Sequence, residues 1–364
     1  MVTVFVCGDV MLGRGIDQIL EHPCAPTLHE AYLQDARDYI LLAEEVSGPI
    51  PRGVPPAYPW GDALPRLAEA RPDARIVNLE TSITRADTWD REKGINYRVS
   101  PENAACLAAA EIDVCALGNN HVLDWGPQGL LDTLATLDAL GIQRCGAGRD
   151  LAEATRPAVL DLAGHGRLVV FSVGCADAGV PPWWAAAPAR PGVYTIVDFD
   201  DAELRALHRA IEPWRIAGST IVLSIHWGPN WGYTIPAEHR RFAHRMIEDA
   251  GVDVVHGHSS HHVKGIEVHR GRPIFYGCGD LITDYEGIRG YERYRGDLGL
   301  LYLVTLAADG ALQSVRMLPT RMRRFQLTRP EPGDIAWLAD ALARACAPLG
   351  TTIERGGDEL RLRW

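Results

Sequence analysis

The stretch Val252-Asp253-Val254-Val255-His256-Gly257-His258-Ser259-Ser260-His261-His262 holds four histidines in its last seven residues. Its first part is an apolar run rich in β-branched residues, the composition of a buried strand. Its second part turns polar around a glycine, and histidine at that density is metal-site composition. The segment before it, Ala237–Ala250, has the apolar spacing of a helix. A helix feeding a buried strand that ends in ligand-bearing residues is the working unit of an α/β sheet. In such sheets ligands bind outside the carboxyl ends of the strands.

Working outward, the same pattern recurs along the chain. Val2–Cys7, Ala74–Asn78, Val114–Leu117, Leu168–Val173 and Thr220–Ile225 are short apolar runs, each ending at a polar or glycine-containing loop. Ala63–Ala70, Pro101–Ala110, Pro127–Ala139 and Ala202–Arg215 read as helices between them, with Pro101 and Pro127 at first helical positions. Glu21–Gly61 is rich in Pro, Tyr and acidic residues and reads as an excursion that overhangs the site. Ala176–Pro191, with Pro181-Pro182-Trp183-Trp184, is a second long loop. After Asp284 the pattern becomes antiparallel. Gly299–Ala307 and Leu312–Leu318 flank Asp309-Gly310 as a hairpin, followed by a helix at Asp334–Ala347 and a strand at Glu359–Trp364. No repeat or low-complexity linker divides the chain. The expected organisation is one domain over residues 1–320 and a C-terminal helix–strand extension, 321–364, packed on it.

Composition narrows the class. With 364 residues, 47% hydrophobic and 23% charged, the chain can bury a large core and is neither disordered nor fibrous. A net charge of −11 argues against nucleic acid or an anionic membrane as a partner. An anionic substrate then needs local positive charge, which bound cations would supply. No signal peptide or apolar run long enough to span a bilayer is present, so a cytoplasmic location is expected. The eight cysteines are scattered without a CxxC pair and read as reduced, buried thiols. The oligomeric state is left open.

The chemistry-bearing residues stand at strand ends: Asp9, Asn78 and Glu80, Asn119-Asn120-His121, His226, His256-Gly257-His258, and a further carboxylate at Asp280. Each has a bland reading. Asp9 could cap a helix starting near Met11, Glu80 could pair with an arginine, Asn119-Asn120 could be a turn, and His226 could be a satisfied core histidine. Their joint occurrence favours a metal site, because no short peptide can surround an ion. Carboxylate, amide oxygen and imidazole without thiolate suit Mn²⁺, Fe²⁺ or Zn²⁺, as one ion or two, with Glu80 as candidate bridge. Lys93, Asn96, Tyr97 and Arg98, with Trp227 and Lys264, are candidate substrate-binding residues for a small or peptide-like anion. Solvation or core packing would explain each singly.

Five strings appear in order: Gly8-Asp9-Val10-Met11-Leu12-Gly13, Asn78-Leu79-Glu80-Thr81, Gly118-Asn119-Asn120-His121 with Asp124 and Gly126, His226-Trp227-Gly228, and Gly257-His258-Ser259-Ser260-His261. Together they resemble the CapA family of capsule or poly-γ-glutamate biosynthesis proteins, itself similar to calcineurin-like metallophosphoesterases. The resemblance implies a four-layer α/β/β/α sandwich of two mixed sheets with metals at one rim. It implies Asp9, Glu80, Asn120, His226, His258 and His261 as metal ligands and His121, with Asp9, as catalytic. Two departures matter. Met11 stands where metallophosphoesterases carry a histidine, and the last motif has two residues between its histidines, so His256 or His262 competes with His261. The expected function is hydrolysis of an amide, a γ-glutamyl bond among the candidates, by metal-bound hydroxide. The alternatives are phosphomonoester or phosphodiester hydrolysis on the same site, or a non-catalytic protein that binds a polymer or partner.

Overall fold

The valine-rich N-terminal run becomes strand Val2–Val10, the centre of the first of two mixed sheets in a computed structural model that describes residues 1–364. On one side it pairs in parallel with Ala74–Leu79, which is followed by Val114–Ala116 and Gln143–Cys145. On the other side it pairs antiparallel with Leu298–Leu306, then Leu312–Arg323, Glu359–Arg363 and Thr352–Gly356. Asp280–Ile282 joins the carboxyl end of Val2–Val10 in parallel. The second sheet runs Thr195–Ile196, Gly166–Cys175, Ser219–His226, Val254–His258, Arg272–Phe275, Ile266–His269, with Ala158–Leu162 antiparallel beside Gly166–Cys175.

The period-two alternation of each strand sends its apolar side chains to two different cores. Val4, Val6, Ile76 and Val114 of the first sheet face Leu168, Val170, Val222 and Val254 of the second in one shared cluster. The opposite face of the first sheet, with Phe5, Val77, Cys115 and Leu301, packs under Ile16, Leu67, Leu107, Leu130 and Leu134 from helices. The outer face of the second sheet, with Phe171, Leu223 and Val255, packs under Leu204, Leu207, Phe242 and Met246. Helix, sheet, sheet and helix therefore follow one another across the molecule.

Several elements depart from their sequence reading. Val2–Val10 runs on past Cys7, because Asp9 and Val10 pair with Asp280 and Ile282 on one side and Asn78 and Leu79 on the other. Asp9 caps no helix: the next one, Arg14–Ile19, is preceded by Gly13 without a side-chain cap. Of the expected helix Pro101–Ala110 only Ala105–Ala109 is α-helical, and the Ser100 hydroxyl accepts from the Asn103 amide in the turn before it. The excursion 21–61 contains a helix, Arg37–Ser47, that buries Tyr39, Ile40 and Ala43. In the tail, helix Pro332–Cys346 places Ile335, Leu338, Leu342 and Cys346 in the inter-sheet core, and strand Leu312–Arg323 runs straight across position 320. All eight cysteines are buried and unpaired. No helix is long and apolar enough to cross a membrane.

Candidate metal centre and its cleft

Sheet register assembles the site. His226 lies opposite His258, and Ser224 opposite His256, on the two central strands of the second sheet. Asp9 lies between Asn78 and Asp280 in the first. Gly257 lets Val254–His258 pass close to Arg272–Phe275, since a Cβ on it would stand 2.3 Å from the Phe275 carbonyl oxygen.

The proton positions around His258 follow from its partners. The Cys7 carbonyl can only accept, so the His256 Nε2 it meets at 2.6 Å carries the proton. Burial pushes His256 down to about 4 and keeps the ring neutral, so its Nδ1 accepts from the Ser224 hydroxyl at 3.1 Å. Ser224 Oγ has then spent its proton and accepts from His258 Nε2 at 2.8 Å. His258 Nδ1 is left with a bare lone pair, 2.9 Å from His226 Nδ1 and 3.9 Å from Asp9 Oδ1. Burial holds both histidines well below the usual imidazole range, hence neutral. Neutral imidazole with an oriented lone pair is the ligand form of histidine.

Carboxylates converge on the same point. Asn78 Nδ2 bonds Asp9 Oδ1 at 2.8 Å and Glu80 Oε2 at 3.4 Å, and Asn119 fixes Asn78 in turn at 3.0 Å. Burial foremost pushes Asp9 up to about 6, with Asp280 adding to it, while a hydrogen bond from Glu80 acts the other way. Burial and the Asp9 charge hold Glu80 well above the carboxylate range. Two groupings of possible ligand atoms, Asp9/His226/His258 and Asp9/His261/Asp280, each lie within 4.8 Å and share Asp9. His261 Nδ1 is 3.0 Å from Asp280 Oδ1. Asp9 Oδ2 and Asn120 Oδ1 are buried and have no hydrogen-bond partner. Such orphans are costly in a folded protein unless something fills them. The donor set of carboxylates, amide oxygen and neutral imidazoles fits a divalent cation.

The site opens into a cleft of about 1090 Å³ whose lining includes Glu80, Asn120, His121, His226 and His261. His121 is aimed by Asp124, whose Oδ2 accepts from its Nδ1 at 2.6 Å and from the Tyr97 amide at 2.6 Å. Lys93 Nζ donates to Asp124 Oδ1 at 2.5 Å and to the Asn120 carbonyl. Tyr97 stacks on the imidazole with centroids 3.9 Å apart. Burial pushes His121 down to about 4, against the pull of Asp124, so its Nε2 presents a lone pair 3.8 Å from Glu80 Oε1.

The description "Bacterial capsule synthesis protein PGA_cap" names a family whose pattern matches residues 3–285. The chain belongs to that family. It is 46% identical, over 99% of its own length and 95% of the relative's, to a "Probable polyglutamine synthesis accessory protein" of Mycobacterium tuberculosis. It is 26% identical, over 88% of its length and 69% of the relative's, to "PGA biosynthesis protein CapA" of Bacillus subtilis. Among solved structures, a 5'-nucleotidase precursor from Thermus thermophilus aligns at a TM-score of 0.45 and 15% identity, over 87% of this chain and 54% of that one.

In this PGA_cap protein Glu80, Asn120, His121, His226 and His261 line the cleft, and Asp9 and His258 stand behind them with ligand atoms within 4.8 Å of that of His226. The competing histidines are occupied elsewhere: His256 in the relay to Cys7, and His262 with the Gly232 amide at 3.1 Å and the Val263 carbonyl at 3.0 Å. Glu80 stands beside Asp9 but outside both three-residue groupings, which meet at Asp9. Of the expected substrate contacts, Lys93 and Tyr97 line the cleft and four others do not. Asn96 bonds the carbonyls of Asp90 and Asp124. Arg98 bonds the carbonyls of Ala86 and Ala25 and lies over Trp125 at 3.8 Å. Trp227 donates to the Tyr276 carbonyl and stacks on His239. Lys264 is buried, and burial pushes its ammonium down to about 8 while Asp177 of the cleft lining acts the other way.

Two parts of the site escaped the sequence reading. Asp280 was visible as a strand-end carboxylate but not as a partner of His261. Arg14, at φ +47°, pairs with Glu30 at 3.1 Å and Asp284 at 2.5 Å and lies over Tyr39 in the cleft wall. Nothing local in the sequence marks that cluster, since its members are far apart in the chain.

Proposed function

We infer that this chain is a metal-dependent hydrolase acting on an anionic, peptide-like substrate, with an amide bond, γ-glutamyl or similar, as the bond cleaved. The observation that carries the reading is the meeting of the wired His258 lone pair, His226 and Asp9 beneath a cleft into which an oriented histidine, His121, opens. Asp9, His226 and His258, with His261, Asp280 and Asn120 beside them, are the residues that would hold the ion, Mn²⁺, Fe²⁺ or Zn²⁺, as one or two. A bound divalent ion supplies Lewis acidity and lowers the pKa of water.

The chain's own groups do the rest. His121 Nε2 takes a proton from the attacking water and returns it to the leaving nitrogen, while Asp124 and Lys93 hold the ring in place. The lining carries basic Arg14, Lys93, Arg295, Arg321 and Arg323 against acidic Glu30, Glu80, Asp177, Glu286, Glu292 and Asp297. With Glu80 held protonated the named charges balance, so without a cation the cleft offers an anion no net attraction. With one or two cations it attracts an anion.

The relatives' names, concerned with polyglutamine and PGA synthesis, motivate the amide. Met11 supports it. Its sulfur accepts from the Gly13 amide at 3.1 Å, so no imidazole stands where a metallophosphoesterase carries one. The test is turnover of γ-glutamyl amides beside p-nitrophenyl phosphoesters by the metal-loaded protein. Amide cleavage that His121→Ala abolishes supports the reading. Phosphoester cleavage alone makes the enzyme a phosphoesterase. No turnover of either class, with metal bound, leaves a non-catalytic binding role.

A further inference from the structure

Helix Ala237–Glu248 meets the edge strand Ile266–His269 outside the cleft, and four side chains there are used by nothing described above. His244 and Glu248 stand one turn apart on the helix, and Glu267 and His269 stand two apart on the strand, so each pair shares a face. The imidazoles of His244 and His269 stack with centroids 3.7 Å apart and planes 6° from parallel. His244 Nε2 lies 3.0 Å from Glu267 Oε1, and His269 Nε2 lies 2.8 Å from Glu248 Oε1. Ligand atoms of His244, Glu267 and His269 fall within 4.8 Å of one another. The Tyr276 hydroxyl donates to Glu267 Oε2 at 2.7 Å and turns Oε1 toward the imidazoles.

We propose that His244, Glu267 and His269 form a second cation site, separate from the cleft, for a zinc-class divalent ion, with Glu248, outside that grouping but hydrogen-bonded to His269, as the fourth ligand to swing in. Two imidazole nitrogens and two carboxylate oxygens are a zinc donor set. Tetrahedral ligands around Zn²⁺ stand ~3.3 Å from each other, so the three ligand atoms, now within 4.8 Å, would close on the ion, and one of the two stacked imidazoles would turn so that both lone pairs reach it. Binding displaces the protons now shared between each imidazole and its carboxylate. Arg240 and Arg270 pair with Glu267 and Glu248 from outside, at 2.8 and 3.0 Å. Their side chains are 43% and 68% exposed and can turn to solvent. Tyr276 orients a ligand from behind, the usual second partner of a metal carboxylate. The ion would tie the helix between the strands of His226 and His258 to the sheet edge.

The test is zinc titration of the chelator-stripped full chain, read by bound zinc per chain and by the thermal midpoint. His269→Asn and Glu248→Gln change partly exposed side chains, and circular dichroism checks that both variants fold. Wild type is expected to bind one zinc more than either variant and to gain a rise in midpoint that both lack. Asp9→Asn should lose cleft metal and keep the outer equivalent, which separates this site from the cleft centre. Equal zinc content and an equal midpoint rise in wild type and His269→Asn overturn the proposal.

Discussion

Ser224 is uncharged and lines no cleft, yet it decides which nitrogen of His258 faces Asp9. Ser224→Ala removes the acceptor that holds the Nε2 proton, and the ring loses both its tautomer and its anchor. Metal affinity at the cleft should fall by about 10–100-fold, as when other partners behind a ligating histidine are removed. Isothermal titration with Mn²⁺ measures this, and unchanged affinity would mean the relay is idle. His121→Ala acts differently, because no grouping of candidate ligands includes it. Turnover should drop by roughly 10²–10⁴ with metal content unchanged, read by steady-state kinetics beside elemental analysis. At this scale the strand-end ligands were legible because each polar residue interrupts an apolar run. The relay was not: Ser224 sits inside the run Thr220–Ile225, and nothing before the register of two strands sets it between His256 and His258.

At the scale of elements, close strand approach is what brings ligands together. Gly257→Ala puts a methyl 2.3 Å from the Phe275 carbonyl and near the Trp227 indole nitrogen. Overpacking of this kind costs about 1–3 kcal/mol. Chemical denaturation should show that loss, together with weakened metal binding, because His256 and His258 flank the glycine. A variant as stable as wild type would show that the strands part easily here. The buried strands and the long helices were readable from apolar period and proline position. Helix Arg37–Ser47 was not, because its packing face is narrow, with Tyr39, Ile40 and Ala43 its only buried residues. The extension of Val2–Val10 through Asp9 was hidden for the opposite reason. Gly8-Asp9 looks like a strand end, but neighbours on both sides supply its pairing.

Across the whole molecule, three apolar clusters hold two sheets and two helical layers, and the middle one includes the C-terminal helix. Leu338 is fully buried there, so Leu338→Ala should destabilise the chain by about 2–5 kcal/mol, although it lies in the tail and outside the cleft lining. A thermal midpoint unchanged by that substitution would make the tail an accessory. The two-sheet core in turn fixes the distance between Asp9 on one sheet and His226 and His258 on the other, so the metal centre depends on the fold as a whole. The most direct measurement is the Mn²⁺ affinity of the chelator-stripped chain beside Asp9→Asn and His244→Asn. Wild type and His244→Asn should bind Mn²⁺ alike at the cleft, and Asp9→Asn at least about tenfold more weakly. Equal binding by all three, or none by wild type, would contradict a metal centre built on Asp9.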